Sequence, residues 1–184
     1  WRYPDWMAQF PFAHTLEMTY RLSNGSVEVE TVVENLSTET MPLSLGYHPY
    51  FTLPGGKGDD WTITIPAREQ VMLNDKLTPT GERKPFAGGK PAPLKGTQFD
   101  DVFTGLDMSV GFVLQNEPRR VVVRFGEKYP VGVVYAPPGR DFVCFEPMSG
   151  PTNAFNLQHS GKYTGLQQIA PAGRWRESYW IAWK

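Results

Sequence analysis

The stretch that decides the fold is Leu16-Glu17-Met18-Thr19-Tyr20-Arg21-Leu22-Ser23-Asn24-Gly25-Ser26-Val27-Glu28-Val29-Glu30-Thr31-Val32-Val33-Glu34. In its first half Leu16, Met18, Tyr20 and Leu22 alternate with Glu17, Thr19 and Arg21, the period of two that marks a half-buried strand. In its second half Val27, Val29, Thr31 and Val33 face away from Glu28, Glu30 and Glu34. Asn24-Gly25 stands between the two runs, and Asn-Gly flanked by alternating apolar residues is a strong hairpin signal.

Working outward, residues 41–48, 61–65, 69–73, 111–115, 119–125, 131–136, 142–146 and 176–183 also read as strands. No segment keeps a helical period over ten residues or more, so the expectation is an all-β protein. The connections are rich in turn formers. Residues 54–60 form a turn-rich loop. Residues 78–98 carry Pro79, Pro85, Pro91 and Pro93 with Gly81, Gly88, Gly89 and Gly96 and read as one long irregular loop. Residues 147–165 read as a second. Long loops in a compact domain are often functional, and many strands joined this way fit a β-sandwich whose loops or concave face build a site.

The composition narrows the functions. A chain of 184 residues is expected to form a single domain, 1–184. A net charge of −1 with neither sign clustered argues against nucleic-acid or basic membrane-surface partners. Cys144 is the only cysteine, so no intrachain disulfide can form. No apolar run approaches the ~20 residues of a membrane span, and no signal peptide is visible. A cytoplasmic location is expected. The chain opens on Trp1-Arg2-Tyr3-Pro4-Asp5-Trp6 without an initiating Met. Three aromatics in six residues call for burial, and the chain reads as the downstream part of a longer protein.

Two segments about a hundred residues apart carry the chemistry: Leu45-Gly46-Tyr47-His48-Pro49-Tyr50-Phe51 and Val143-Cys144-Phe145-Glu146-Pro147. Each sets one titratable side chain beside a proline, and proline restricts both itself and the residue before it. Histidine is the side chain best suited to proton transfer at neutral pH, which makes His48 a candidate for it. The alternative is a histidine bonded within an aromatic cluster. Alternation puts Glu146 on one face with Cys144 and Phe142. A carboxylate there is either paired or raised in pKa; the alternative is a rim carboxylate at a solvated strand end. Phe99-Asp100-Asp101-Val102-Phe103 offers two adjacent acids, of which a strand would send only one into a cleft; the alternative is a turn. Thr152, Asn153 and Asn156 are polar loop residues after Glu146. His14 reads as solvated at the edge of its strand.

No metal or cofactor is expected. His14, His48 and His159 are scattered, and one cysteine cannot build a structural zinc site. Neither a phosphate-cradling glycine loop nor a G-x-S-x-G elbow occurs.

Together these segments resemble the aldose 1-epimerase (galactose mutarotase) family. Gly46-Tyr47-His48-Pro49-Tyr50-Phe51 is similar to its H-P-Y-F segment, and Phe99-Asp100-Asp101-Val102-Phe103 to its aspartate segment. Cys144-Phe145-Glu146-Pro147 with Thr152-Asn153-Ala154 resembles its glutamate region, and Gln168-Ile169-Ala170-Pro171-Ala172-Gly173 its terminal strand. The resemblance implies a galactose mutarotase-like β-supersandwich, incomplete at its N-terminal side, that interconverts the α and β anomers of a free hexose without a cofactor. It implies His48 as proton donor to the ring oxygen, Glu146 as base toward the anomeric hydroxyl, and Asp100 as a holder of sugar hydroxyls. Tyr47, Asp101 and Asn153 are candidate further contacts to the sugar. The family is longer than this chain, and its N-terminal half carries a further histidine and an arginine near the sugar that have no counterpart here. Three other readings stay open: a non-catalytic carbohydrate-binding sandwich, a glycosidase pairing Asp100 with Glu146, and a hexose-phosphate mutarotase. The last would need a cationic cluster, and Lys57, Arg83, Lys84 and Lys95 are dispersed in sequence.

Overall fold

The structure, a computed structural model, describes residues 4–184. Trp1 and Tyr3, and the side chain of Trp6, lie outside the described residues. Fifteen strands, two short α-helices and one 3-10 turn (Gly58–Asp60) are found there. The Asn24-Gly25 hairpin forms as expected: β1 (His14–Ser23) pairs antiparallel with β2 (Ser26–Asn35), with Leu16 opposite Val33 and Ser23 opposite Ser26. Both turn residues take positive φ, 50° and 72°, the conformation that Asn and Gly tolerate.

One sheet runs β1, β2, β15 (Arg174–Trp183), β11 (Arg119–Phe125), β10 (Phe112–Asn116), β5 (Thr62–Thr64), β8 (Ala92–Pro93). The second runs β4 (Tyr50–Phe51), β13 (Val143–Met148), β12 (Val131–Ala136), β9 (Phe99–Thr104), β6 (Glu69–Leu73), β7 (Pro79–Pro85). A small ladder joins β3 (Met41–Leu43) to β14 (Gln167–Ile169). All pairings are antiparallel.

The two large sheets share one core. Val29 and Val33 of β2, Phe112 and Leu114 of β10, and Val121, Val123 and Phe125 of β11 are buried in one cluster with Phe103, Val134, Val143 and Phe145 of the other sheet. The Phe112 and Phe145 rings meet across the gap at 5.4 Å. Gly132 on β12 makes this approach possible, because a Cβ there would come within 2.5 Å of the Phe112 ring. On its other face the second sheet carries a smaller cluster, Val71, Val102 and Val131, with Leu73, Val133 and Met148 packed against it.

Four expectations from sequence are corrected. The 78–98 loop contains β7 and β8, which both lie at sheet edges, where proline's missing N–H costs no ladder bond. The strand expected over 41–48 stops at Leu43 and leaves only an isolated bridge from Gly46 to Met148. The irregular stretch after Glu146 holds the helix α2 (Ala154–His159); α1 (Pro4–Gln9) precedes β1. Finally, the apolar residues of β1 are not its buried side: Leu16, Tyr20 and Leu22 are 52%, 64% and 79% exposed. They stand on the same face as buried Val29 and Val33, but β1 is the outermost strand.

Candidate active site

The geometry starts from a broken ladder. Tyr50 of β4 pairs with Cys144 of β13, and Gly46 bridges Met148. The same register, carried across the break at Pro49, sets His48 directly opposite Glu146. Backbone bonds hold the break in place: Tyr47 N–H donates to the Pro147 carbonyl at 3.1 Å, and Ser149 N–H donates to Leu45 O at 2.8 Å. The Ser149 hydroxyl oxygen accepts from Leu45 N–H at 2.8 Å. At the crossing, a Cβ on Gly46 would push against the Met148 side chain and lie 3.1 Å from the Pro147 carbonyl oxygen. Pro49 therefore lies at the break in the ladder, beside the position where His48 and Glu146 face each other, while Pro147 stays within β13, opposite Gly132.

His48 Nε2 lies 3.1 Å from Glu146 Oε1, with the histidine side chain 49% exposed and the glutamate 10%. The imidazole stacks on Tyr50 at 4.9 Å and meets Tyr135 edge-on at 6.2 Å. Phe142 packs against both tyrosines, at 5.1 and 6.0 Å. The aromatic cluster weighed as an alternative for His48 is present, and it supports the ring without using its Nε2.

Burial raises the Glu146 carboxyl above the usual carboxylate range; His48 pulls it back down, and Asp100 adds a further push upward. Burial is the largest of the three, so this carboxylate is more basic than an ordinary glutamate. Beneath it, Cys144 is buried, and its thiol is pushed up to about 12 by burial and then by Glu146. Donor atoms of His48, Cys144 and Glu146 lie within 4.8 Å of one another.

The pair opens into a hollow of about 420 Å³ on the outer face of the second sheet. Val102, Val133 and Met148 form its floor, and Asp100, Tyr135 and Thr152 its polar margin. Leu77 overhangs it from the β6–β7 turn, exposed and with φ at 56°. Strand alternation brings the right acid in: Asp100 lies on the face of Val102, opposite Tyr135 of β12.

The same alternation sends other candidates elsewhere. Asp101 points away from the hollow and accepts a hydrogen bond from Gln70 Nε2 at 2.5 Å. Tyr47 turns into the core, where its hydroxyl is bonded to Thr31 Oγ1 and its ring packs on Tyr179 at 5.2 Å and Tyr129 at 6.3 Å. Asn153 stands at the N-cap position of α2 in a left-handed conformation, accepts from Asn156 Nδ2 at 2.5 Å, and lines a neighbouring depression that shares Met148 and Thr152 with the hollow. None of these three lines the His48 hollow. His14 is half-buried rather than solvated, with Nδ1 2.8 Å from the Phe12 carbonyl oxygen and its ring edge-on to Phe10.

Tyr50, Tyr135 and Met148 were not legible as site residues. β12 is apolar on both faces, as a strand covered on both sides is, so its sequence does not mark Tyr135 as facing the cleft. Tyr50 lies inside a quoted motif, where its stacking on His48 depends on the sheet register.

The family model described as Aldose 1-epimerase matches residues 2–182. The uncharacterized protein YihR of Escherichia coli (strain K12) is 25% identical over 175 residues, 83% of this chain and 54% of that protein. The galactose mutarotase of Homo sapiens is 30% identical over 100 residues, 53% of this chain and 26% of its own length. The crystal structure of the Slr1438 protein from Synechocystis sp. PCC 6803 superposes with a TM-score of 0.78 at 29% identity, over 99% of this chain and 58% of that one. The chain thus spans little more than half the length of the first two of these relatives to which it aligns broadly. With a family model covering nearly its whole length and a matching sandwich fold, this chain belongs to the aldose 1-epimerase family.

Proposed function

We propose that this chain carries the acid–base pair of an aldose 1-epimerase acting on a hexose. The observation that carries the reading is the His48–Glu146 approach of 3.1 Å, set by strand register. Anomer exchange needs a base at the anomeric hydroxyl and an acid at the ring oxygen. Both oxygens are bonded to the same carbon, so the two groups must lie side by side, as these do.

Ionised Glu146 takes the proton of the anomeric hydroxyl and a carbonyl forms at C1. The C1–O5 bond breaks, its electron pair goes to O5, and protonated His48 supplies the proton there. Neither oxygen has to carry a full charge in the transition state. Rotation about C1–C2 presents the other face. O5 then attacks C1, His48 recovers its proton, and Glu146 returns the other to O1. Asp100 accepts hydrogen bonds from sugar hydroxyls, the Tyr135 ring offers apolar surface for the sugar ring, and Tyr50, stacked on the imidazole, steadies His48.

The test is α/β anomer exchange of glucose and galactose, followed by magnetisation-exchange NMR on the full-length gene product. Glu146→Gln should slow the catalysed exchange by about 10²–10⁴-fold, the usual worth of a positioned base. Exchange no faster than the spontaneous rate with the parent protein would refute the reading. A Glu146→Gln variant as fast as the parent would remove Glu146 from it. Activity should fall on the acid side as Glu146 takes up its proton, at a pH above the ordinary carboxylate range because burial raises that group.

A further inference from the structure

Beside the catalytic hollow lies a second one of about 210 Å³ on the same sheet face. The two share a floor: Val71 and Val131, which line the second, are buried in one cluster with Val102 of the first, and Val133 and Met148 pack against that cluster. Along β12, Val133 and Val131 are one same-face step apart, about 7 Å. A ligand with its anomeric carbon at Glu146 can therefore reach from one hollow into the other.

Their charges are opposite. The first hollow holds Asp100 and Glu146 and no lysine or arginine. The second holds Arg83 and Lys162 and no carboxylate. Arg83 is partly committed, with one guanidinium nitrogen 3.1 Å from Glu69. The Lys162 ammonium has no ion-pair partner among the described residues. These two cations are 79 residues apart in the chain, which is why a search for a basic cluster in sequence does not find them.

The chain holds Lys162 there by two devices. Beyond α2, the Leu157 carbonyl accepts from Lys162 N–H at 2.9 Å, from Tyr163 N–H at 3.2 Å and from the Ser160 hydroxyl at 3.2 Å, which pins the loop. On β7, Gly81 has φ of 94°, and a Cβ there would come within 2.9 Å of Lys162 Cβ. The glycine lets the lysine stem lie against the strand. Thr104 and Tyr163 bring hydroxyl groups to the same lining, and the remaining walls are largely proline, valine and leucine. Charge interactions are strengthened beside such apolar walls.

We propose that the second hollow binds an anionic group, a carboxylate or a sulfate or phosphate ester, carried by the aldose at a position remote from its anomeric carbon. This rests on the mutarotase reading and names the substrate class for it: the reducing end lies at His48 and Glu146, and the anion lies between Lys162 and Arg83.

The experiment compares glucose, glucuronate, glucose 6-sulfate and glucose 6-phosphate, with inorganic phosphate alone as control, on the full-length gene product. Anomer exchange is read by NMR and binding by calorimetry. At least one anionic sugar should exceed glucose in kcat/KM, and bind more tightly, by about tenfold or more, the worth of one charged hydrogen bond. Lys162→Gln and Arg83→Gln should each reduce that preference through KM and leave glucose unchanged. Which anion wins identifies the substituent. Equal handling of all the sugars, or a preference that survives both substitutions, would overturn the proposal. So would inorganic phosphate binding as tightly as every anionic sugar, which would make this an independent anion site. If no sugar exchanges faster than spontaneously, the mutarotase reading fails. The binding preference and its loss in Lys162→Gln would still decide the anion site.

Discussion

The two faces of β13 are almost equally buried and do opposite things. Val143 and Phe145 are fully inaccessible, as is Cys144, and Glu146 is only 7% exposed. Phe145 is surrounded by rings, with Phe51 at 5.8 Å and Phe112 at 5.4 Å, so its burial removes apolar surface from water and stabilises the fold. Glu146, one residue on, is buried with one half-exposed histidine as its ionic partner among the described residues. Its burial disfavours its charge and raises its pKa. Burial alone does not distinguish a core residue from a reactive one; the neighbours on each side of the sheet do.

The largest effect that would test this contrast is Phe145→Ala, expected to cost about 3–5 kcal/mol in unfolding free energy, the range for emptying a buried aromatic site. Denaturant titration reads it, and a loss below about 1 kcal/mol would break the comparison.

Glu146→Gln should behave the other way. Because the folded-state pKa of Glu146 lies above its unfolded value, the folded protein binds the proton more tightly than the unfolded chain. The stability contributed by the protonated carboxyl is complete below the unfolded pKa and is lost as pH rises through the folded one. The variant, which cannot ionise, should match the parent in acid and melt at an equal or higher temperature at neutral pH. A variant less stable than the parent at neutral pH would show that the ion pair with His48 outweighs burial.

Leu22→Ser should have the smallest effect. Leu22 has the alternation of a core residue but is 79% exposed, and a surface change of this kind stays within about 0.5 kcal/mol. A larger loss would mean that this face of β1 is covered in solution.

These residues also show what the sequence could tell. The hairpin, and most of the strands, are legible because alternation reports local backbone geometry. Alternation does not report what lies across from a strand, so Leu22 and Val29 look alike in sequence. Proline hid β7 and β8 because it is compatible with a strand only at an edge, and edges are decided by the whole sheet. In the site, His48, Glu146 and Asp100 were found through residue type and motif, and strand register brings all three to one hollow. Tyr47 and Asp101, each adjacent to one of them, were grouped with them in sequence; the period of two turns them to the opposite face. Lys162 carried no signal because its partner, Arg83, lies on a distant edge strand.

The exposed stripe on β1 also bears on how the protein behaves as a solute. Its ten residues have a partner, β2, on one side only, and no described strand pairs with the other side. A long strand edge with large apolar side chains is a template for pairing with another chain, and such pairing is second order in protein concentration. The chemistry proposed for His48 and Glu146 takes place on one molecule and is first order in protein. Dilution should therefore weaken any association through β1 while leaving the rate per molecule at the hollow unchanged.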